Sequence, residues 1–148
     1  MIMYAGSNGG TSQTSQTTPP PATPPNSAVG SDGGSFAATS FSSPDITSAS
    51  NGNVQTNLID GVPVHAPING LASNKTYQLF AEVAVLQSNA AMQVAVITQA
   101  SQLAAIHVNS TGLQTVMFNT PGSTSDMQLR LVSNGQPVLF TRLEILPL

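Results

Sequence analysis

The sequence predicts an antiparallel β-sandwich or barrel preceded by an extended, mostly irregular arm. Three observations carry this. Composition changes near residue 50: residues 1–50 are mostly Gly, Ser, Thr, Pro and Gln, with few large apolar side chains. Residues 51–148 hold short runs in which apolar residues recur at every second position, the period of a pleated strand with one buried face. Clusters of Asn, Gly, Ser, Pro and Asp separate these runs and supply turn chemistry.

The arm comes first. Thr11–Pro25 carries no charge and five prolines, Pro19, Pro20, Pro21, Pro24 and Pro25. These favour the stiff polyproline II conformer. Gly30–Ser35, "GSDGGS", is expected to be a flexible hinge. With so little apolar surface, residues 1–50 cannot offset the entropy of ordering on their own. The boundary is therefore placed between an arm, 1–50, and a β-domain, 51–148.

The β-domain opens with "NLIDGVPVHAPI" (57–68), read as one or two strands with Asp60-Gly61 as a hairpin turn and His65 in a loop. In "TYQLFAEVAVL", Tyr77, Leu79, Ala81, Val83 and Val85 share the inward face. "MQVAVIT" repeats this with Met92, Val94 and Val96, although a helical turn near Gln99–Ala105 is an alternative reading of the alanines. Next come Ile106 and Val108, with His107 on the opposite face, and then Val116 and Phe118. Met127, Leu129 and Leu131 follow, with Arg130 outward. The last run places Leu139, Thr141, Leu143 and Ile145 on one face, and Arg142 and Glu144 on the other. Glu82, Glu144, Arg130 and Arg142 are expected to pair across strands.

Charge narrows the function classes. The chain has three Lys or Arg and six Asp or Glu, so its net charge is −3, while Ser, Thr, Asn and Gln make up 55 of 148 residues. Nucleic-acid binding needs clustered basic residues to neutralise phosphates, and an anionic membrane surface needs the same. Neither partner is expected. With no cysteine, the chain has neither disulfides nor thiolate chemistry. The start, "MIMYAGSNGG", lacks the basic region of a signal peptide, and no apolar run approaches the roughly 18 residues of a membrane-spanning helix. There is no G-x-S-x-G elbow, P-loop, H-E-x-x-H or EF-hand loop, and the acids show no paired-carboxylate spacing. No catalysis, cofactor or metal is expected. The triplets at 74–76 and 109–111 match glycosylation sequons, as Asn/Ser/Thr-rich chains often do by chance.

"NGLASNKTYQLFAEVAV" (69–85) and "STGLQTVMFNTPGSTSDMQLRLVSNGQPVLFTRLEIL" (110–146) resemble the first long strand and closing segment of jelly-roll carbohydrate-binding-like modules, related to galactose-binding-like domains. The resemblance spans about residues 54–146 and implies an antiparallel jelly-roll sandwich of about 7–9 strands. It departs from the family at Leu113, where the family has an aromatic, and at Thr141, where it often has a calcium-binding Asp. The chain has no tryptophan, and Tyr77 is assigned to the core, so a stacking platform for sugar is missing.

A polar arm on a small β-domain without catalytic motifs leads to one expected function. It is a virion structural protein, a bacteriophage capsid decoration (cement) protein at the capsid surface. Its arm would clamp the major capsid protein or other virion subunits, and the protein would be a dimer or trimer. Met1, Ile2, Met3, Tyr4, Pro19, Pro20, Pro21, Pro24, Pro25, Phe36, Phe41 and Ile46 are the expected anchors. Such tethered contacts gain strength from effective concentration. The alternative is a carbohydrate-binding module of a phage fibre or a secreted, extracellular protein, with the arm as a Pro/Thr-rich linker.

Overall fold

A computed structural model describes residues 30–148. Within them ten strands form two antiparallel sheets. The six-stranded sheet contains β1 (Gly34–Ser35), β2 (Ile46–Ser48), β3 (Val54–Thr56), β5 (Thr76–Leu86), β8 (Gly112–Asn119) and β10 (Val138–Pro147). Its order is β2-β3-β10-β5-β8, with β1 also paired to β10. The four-stranded sheet contains β4 (Val64–Pro67), β6 (Met92–Ile97), β7 (Gln102–Val108) and β9 (Gln128–Ser133), in the order β4-β9-β6-β7. Helix among the described residues is limited to 3-10 turns at Ala38–Ser40 and Ser50–Gly52. The expected all-β jelly-roll sandwich is thus the observed fold. Eight of the ten strands, β3 to β10, lie within residues 51–148.

Alternation explains the core. Tyr77, Leu79, Ala81 and Val83 of β5 face inward, as do Val94 and Val96 of β6 and Ile106 and Val108 of β7. Leu129 and Leu131 of β9 and Leu143 and Ile145 of β10 join them. The two inner faces form one apolar layer, and at about 25 cal/mol per Å² of apolar area removed from water this layer drives folding. Tyr77 is in the core as expected. Its ring stacks on Phe118, and its hydroxyl donates to the Ser31 carbonyl (2.9 Å) and accepts from the Ala72 N–H (3.0 Å).

Several expectations are corrected. The sandwich begins well before residue 51. Phe36, Phe41 and Ile46, expected to anchor the arm to a partner, are buried in the core of their own chain. The low-complexity composition hides them because small polar residues surround each one. The backbone seals the junction: the Phe36 N–H donates to the Leu143 carbonyl (2.8 Å) and the Asn57 N–H to that of Asp45 (2.8 Å). The supposed hinge at Gly30–Ser35 is a docked turn. Gly33 has φ +80°, and a Cβ there would lie 2.1 Å from the Ile145 carbonyl oxygen, so only glycine fits. The other expected anchors, Met1 to Tyr4 and Pro19 to Pro25, lie outside the described residues.

Asp60-Gly61 does form a turn, closed by the Val62 N–H on the Ile59 carbonyl (3.0 Å). It joins β3 to β4, which belong to different sheets, so it is a crossover and no hairpin. His65 lies on β4 rather than in a loop. A turn at Thr98–Ser101 replaces the alternative helical turn. The Thr98 hydroxyl accepts from the N–H groups of Ala100 and Ser101, and β7 starts directly after. On β10 the inward face changes parity. Val138 and Phe140 are fully buried, while Thr141 is exposed, because register shifts around Phe140–Arg142 insert an extra residue. Such a bulge flips every later side chain by one position.

Candidate functional site

A two-layer sandwich leaves two outer faces. On the six-stranded sheet, Phe80 is the one aromatic side chain that reaches the surface among the described residues; Phe36, Phe41, Tyr77, Phe118 and Phe140 are all buried. Its ring is occupied. The Arg142 guanidinium lies 4.2 Å from the ring centroid, and its Nε donates to Glu144 in an ion pair. Arg142 thus pairs along its own strand, although Glu82 faces it across β5 in register. A sugar could stack on Phe80 only after displacing that cation, which the ring quadrupole and the carboxylate both hold.

The outer face of the four-stranded sheet is built differently. β4, β9, β6 and β7 lie side by side, and their registers bring His65, Arg130, Ala95 and Ala105 into one row. The next row on one side contains Val132, Gln93 and His107, and on the other Pro67, Gln128, Ile97 and Gln102. Small residues in the central row leave room for a long side chain to lie flat. Arg130 uses that room. Its Nη2 donates to Gln93 Oε1 (2.7 Å) and to Gln102 Oε1 (2.9 Å). To reach Gln102 on β7 it passes over β6, where its register partner Ala95 has no exposed surface.

This arrangement sets the polarity of the face. Arginine has only donors, so both glutamines must turn their oxygens toward it and their NH2 groups away. No described residue accepts from those NH2 groups or from Arg130 Nε, which is buried without a partner. The amides on either side of the central row therefore present unclaimed donors. Along β9 the face runs from Gln128 to Val132, four residues, roughly 13 Å at about 3.3 Å per residue. A hollow lies at each end, one beside Asp60, Asn134 and His107, the other beside Asn69, Gln99 and Asp126. Asp126 is tied locally, since its Oδ2 accepts from the Gln99 N–H (3.1 Å).

Sequence reading had Arg130 and His107 outward, yet it expected Arg130 to pair with a carboxylate. It also left Gln93 and Gln102 unassigned and gave His65 to a loop. The strand order that unites them has no local signal; the available hint was polar residues at the outward parity of three strands. Leu113 and Thr141, the two departures from the family pattern, are exposed and lie on the other sheet. Among the described residues, no group of three His, Cys, Asp or Glu comes together.

No protein-family model matches the chain, and no curated protein does. Solved structures do. The C-terminal family 6 carbohydrate-binding module of LamC, a marine laminarinase from Zobellia galactanivorans, aligns over 77% of this chain and 98% of its own, with 18% identity and a TM-score of 0.54. A family 4 carbohydrate-binding module aligns over 73% of this chain and 78% of its own, with 16% identity and a TM-score of 0.52. A family 6 module from Clostridium stercorarium, in complex with cellobiose, aligns over 82% and 95%, with 18% identity and a TM-score of 0.50. These likenesses show the fold, a jelly-roll sandwich of the kind found in carbohydrate-binding modules.

Proposed function

We propose that this chain is a non-catalytic carbohydrate-binding module, part of a secreted or extracellular system, whose ligand lies along the outer face of the four-stranded sheet. One observation carries the reading: Arg130 is spread over an alanine floor and clamped by Gln93 and Gln102, so that donors point outward from a rigid surface. Saccharides present many acceptor oxygens, and donors already fixed in place lose little entropy on binding them. The fold likeness supports the same class. Cellobiose, held by the Clostridium stercorarium module, is one sugar chemistry to try first.

Calorimetric titration of the full chain with a panel of oligosaccharides tests this. Binding of at least one, weakened in Gln93→Ala and Gln102→Ala proteins of unchanged melting temperature, is expected. If both variants bind as the parent does, the face is not the site.

A second reading, a virion protein gripping capsid subunits, is favoured by one surface feature. Leu113 and Met117 are 48% and 60% exposed on β8, at the edge of its sheet. An exposed apolar edge strand is a template for pairing with another chain. Its arm anchors are reduced to residues outside the described ones, because Phe36, Phe41 and Ile46 serve the core. Sedimentation of the full chain and its Met117→Lys variant tests it: a dimer or trimer that the substitution dissociates supports an edge contact, and a monomer removes its structural basis.

A further inference from the structure

We propose that the saccharide bound by the four-stranded face is anionic, bearing uronate carboxylates or sulfate esters. This rests on the reading of that face as the saccharide site and adds the ligand's charge. The charge layout is the first argument. The four strands, "VHAP", "MQVAVI", "QLAAIHV" and "QLRLVS", contain no Asp or Glu. Their ionisable side chains are Arg130, His65 directly opposite it on β4, and His107 one row away on β7. Glu82 and Glu144 are on the opposite sheet, and Asp32 and Asp45 are outside both face and hollows. Asp60 and Asp126 stand at the two ends, beyond the central row. The centre of the face is thus locally cationic on a chain of net charge −3.

The second argument is the missing counter-ion. Arg142 has Glu144, whereas Arg130 has only two neutral amide oxygens among the described residues. Its buried Nε donates to nothing. That buried atom is out of a ligand's reach, whereas the part-exposed remainder of the guanidinium can bond an ionised acceptor, about twice as strongly as a neutral one. The third is polarity. Because Arg130 takes the amide oxygens, Gln93 and Gln102 present N–H groups outward. A ligand of hydroxyls alone both donates and accepts, whereas carboxylates and sulfates only accept, which matches these two amides and the guanidinium between them.

The test uses the full chain and three probes of similar length: galacturonate oligomers, carrageenan oligomers carrying sulfate esters, and neutral cello-oligosaccharides. Titrations are run in low and in physiological salt. At least one acidic probe is expected to bind more tightly than the neutral one, and to weaken as salt rises. The stronger of the two identifies carboxylate or sulfate as the recognised group. Arg130→Gln should lower that affinity about tenfold or more, the loss of a charge-assisted hydrogen bond, and lower affinity for the neutral probe by a smaller factor, because Gln93 and Gln102 lose the group that orients them. Arg130→Lys, which keeps the charge but not the fork, should retain part of the binding if the fold tolerates it, and the melting temperature of each variant reports that tolerance. Neutral binding that equals acidic binding and ignores salt overturns the anionic assignment while leaving the carbohydrate reading intact. Binding to none of the three overturns both.

Discussion

Removing residues 30–50 should unfold the sandwich. The comparison is between a chain that begins at Gly30 and one that begins at Asn51, the boundary composition indicated. The longer chain retains Phe36, Phe41 and Ile46, each at most 5% exposed, together with β1 and β2. Burying a large apolar side chain is worth about 1.5–3 kcal/mol, so the three together contribute about 5–9 kcal/mol. Two lost pairings raise the cost further: β3 loses its partner β2, and the Leu143 carbonyl loses the Phe36 N–H. Total stabilities of domains this size are about 5–15 kcal/mol, so the shorter chain is left with little or none. Urea titrations followed by far-ultraviolet circular dichroism measure both. A cooperative transition is expected for the chain from Gly30, and none, or one at much lower urea, for the chain from Asn51. Equal midpoints would refute the assignment of these residues to the core.

Three further outcomes follow from the packing. Gly33→Ala should destabilise by about 1–3 kcal/mol, because it places a Cβ against the Ile145 carbonyl at a positive φ; an unchanged urea midpoint would show that the turn is not docked there. Tyr77→Phe leaves the Ser31 carbonyl and Ala72 N–H without their partner and should cost about 1–3 kcal/mol, read by thermal melting. A double-mutant cycle of Phe80→Ala and Arg142→Ala should give a coupling of about 0.5–1 kcal/mol in the same melts, the value of an exposed cation–π contact, and additivity of the two changes would deny the contact.

What could be read from the sequence depended on the range of the interaction. The inward sets on β5, β6 and β9 were legible because a pleated strand with one buried face imposes period two on its own residues. The phase of β10 was not, since its bulge is set by register against β5, which local sequence does not encode. Phe36, Phe41 and Ile46 were seen but given to a partner, because composition averaged over fifty residues outweighs three large side chains. The donor face was the least legible part. Arg130 meets Gln93 and Gln102 across 37 and 28 residues of sequence, and only the strand order β9-β6-β7 brings them together.

The most direct test of the central claim is a map of where a saccharide touches the protein. Amide chemical shifts of the isotopically labelled full chain are followed while galacturonate or cello-oligosaccharide is added. The account predicts that the largest changes fall on β4, β9, β6 and β7, centred on His65, Arg130 and Gln93. Changes confined to β5, β8 and β10 around Phe80, or to no strand at all, would contradict it.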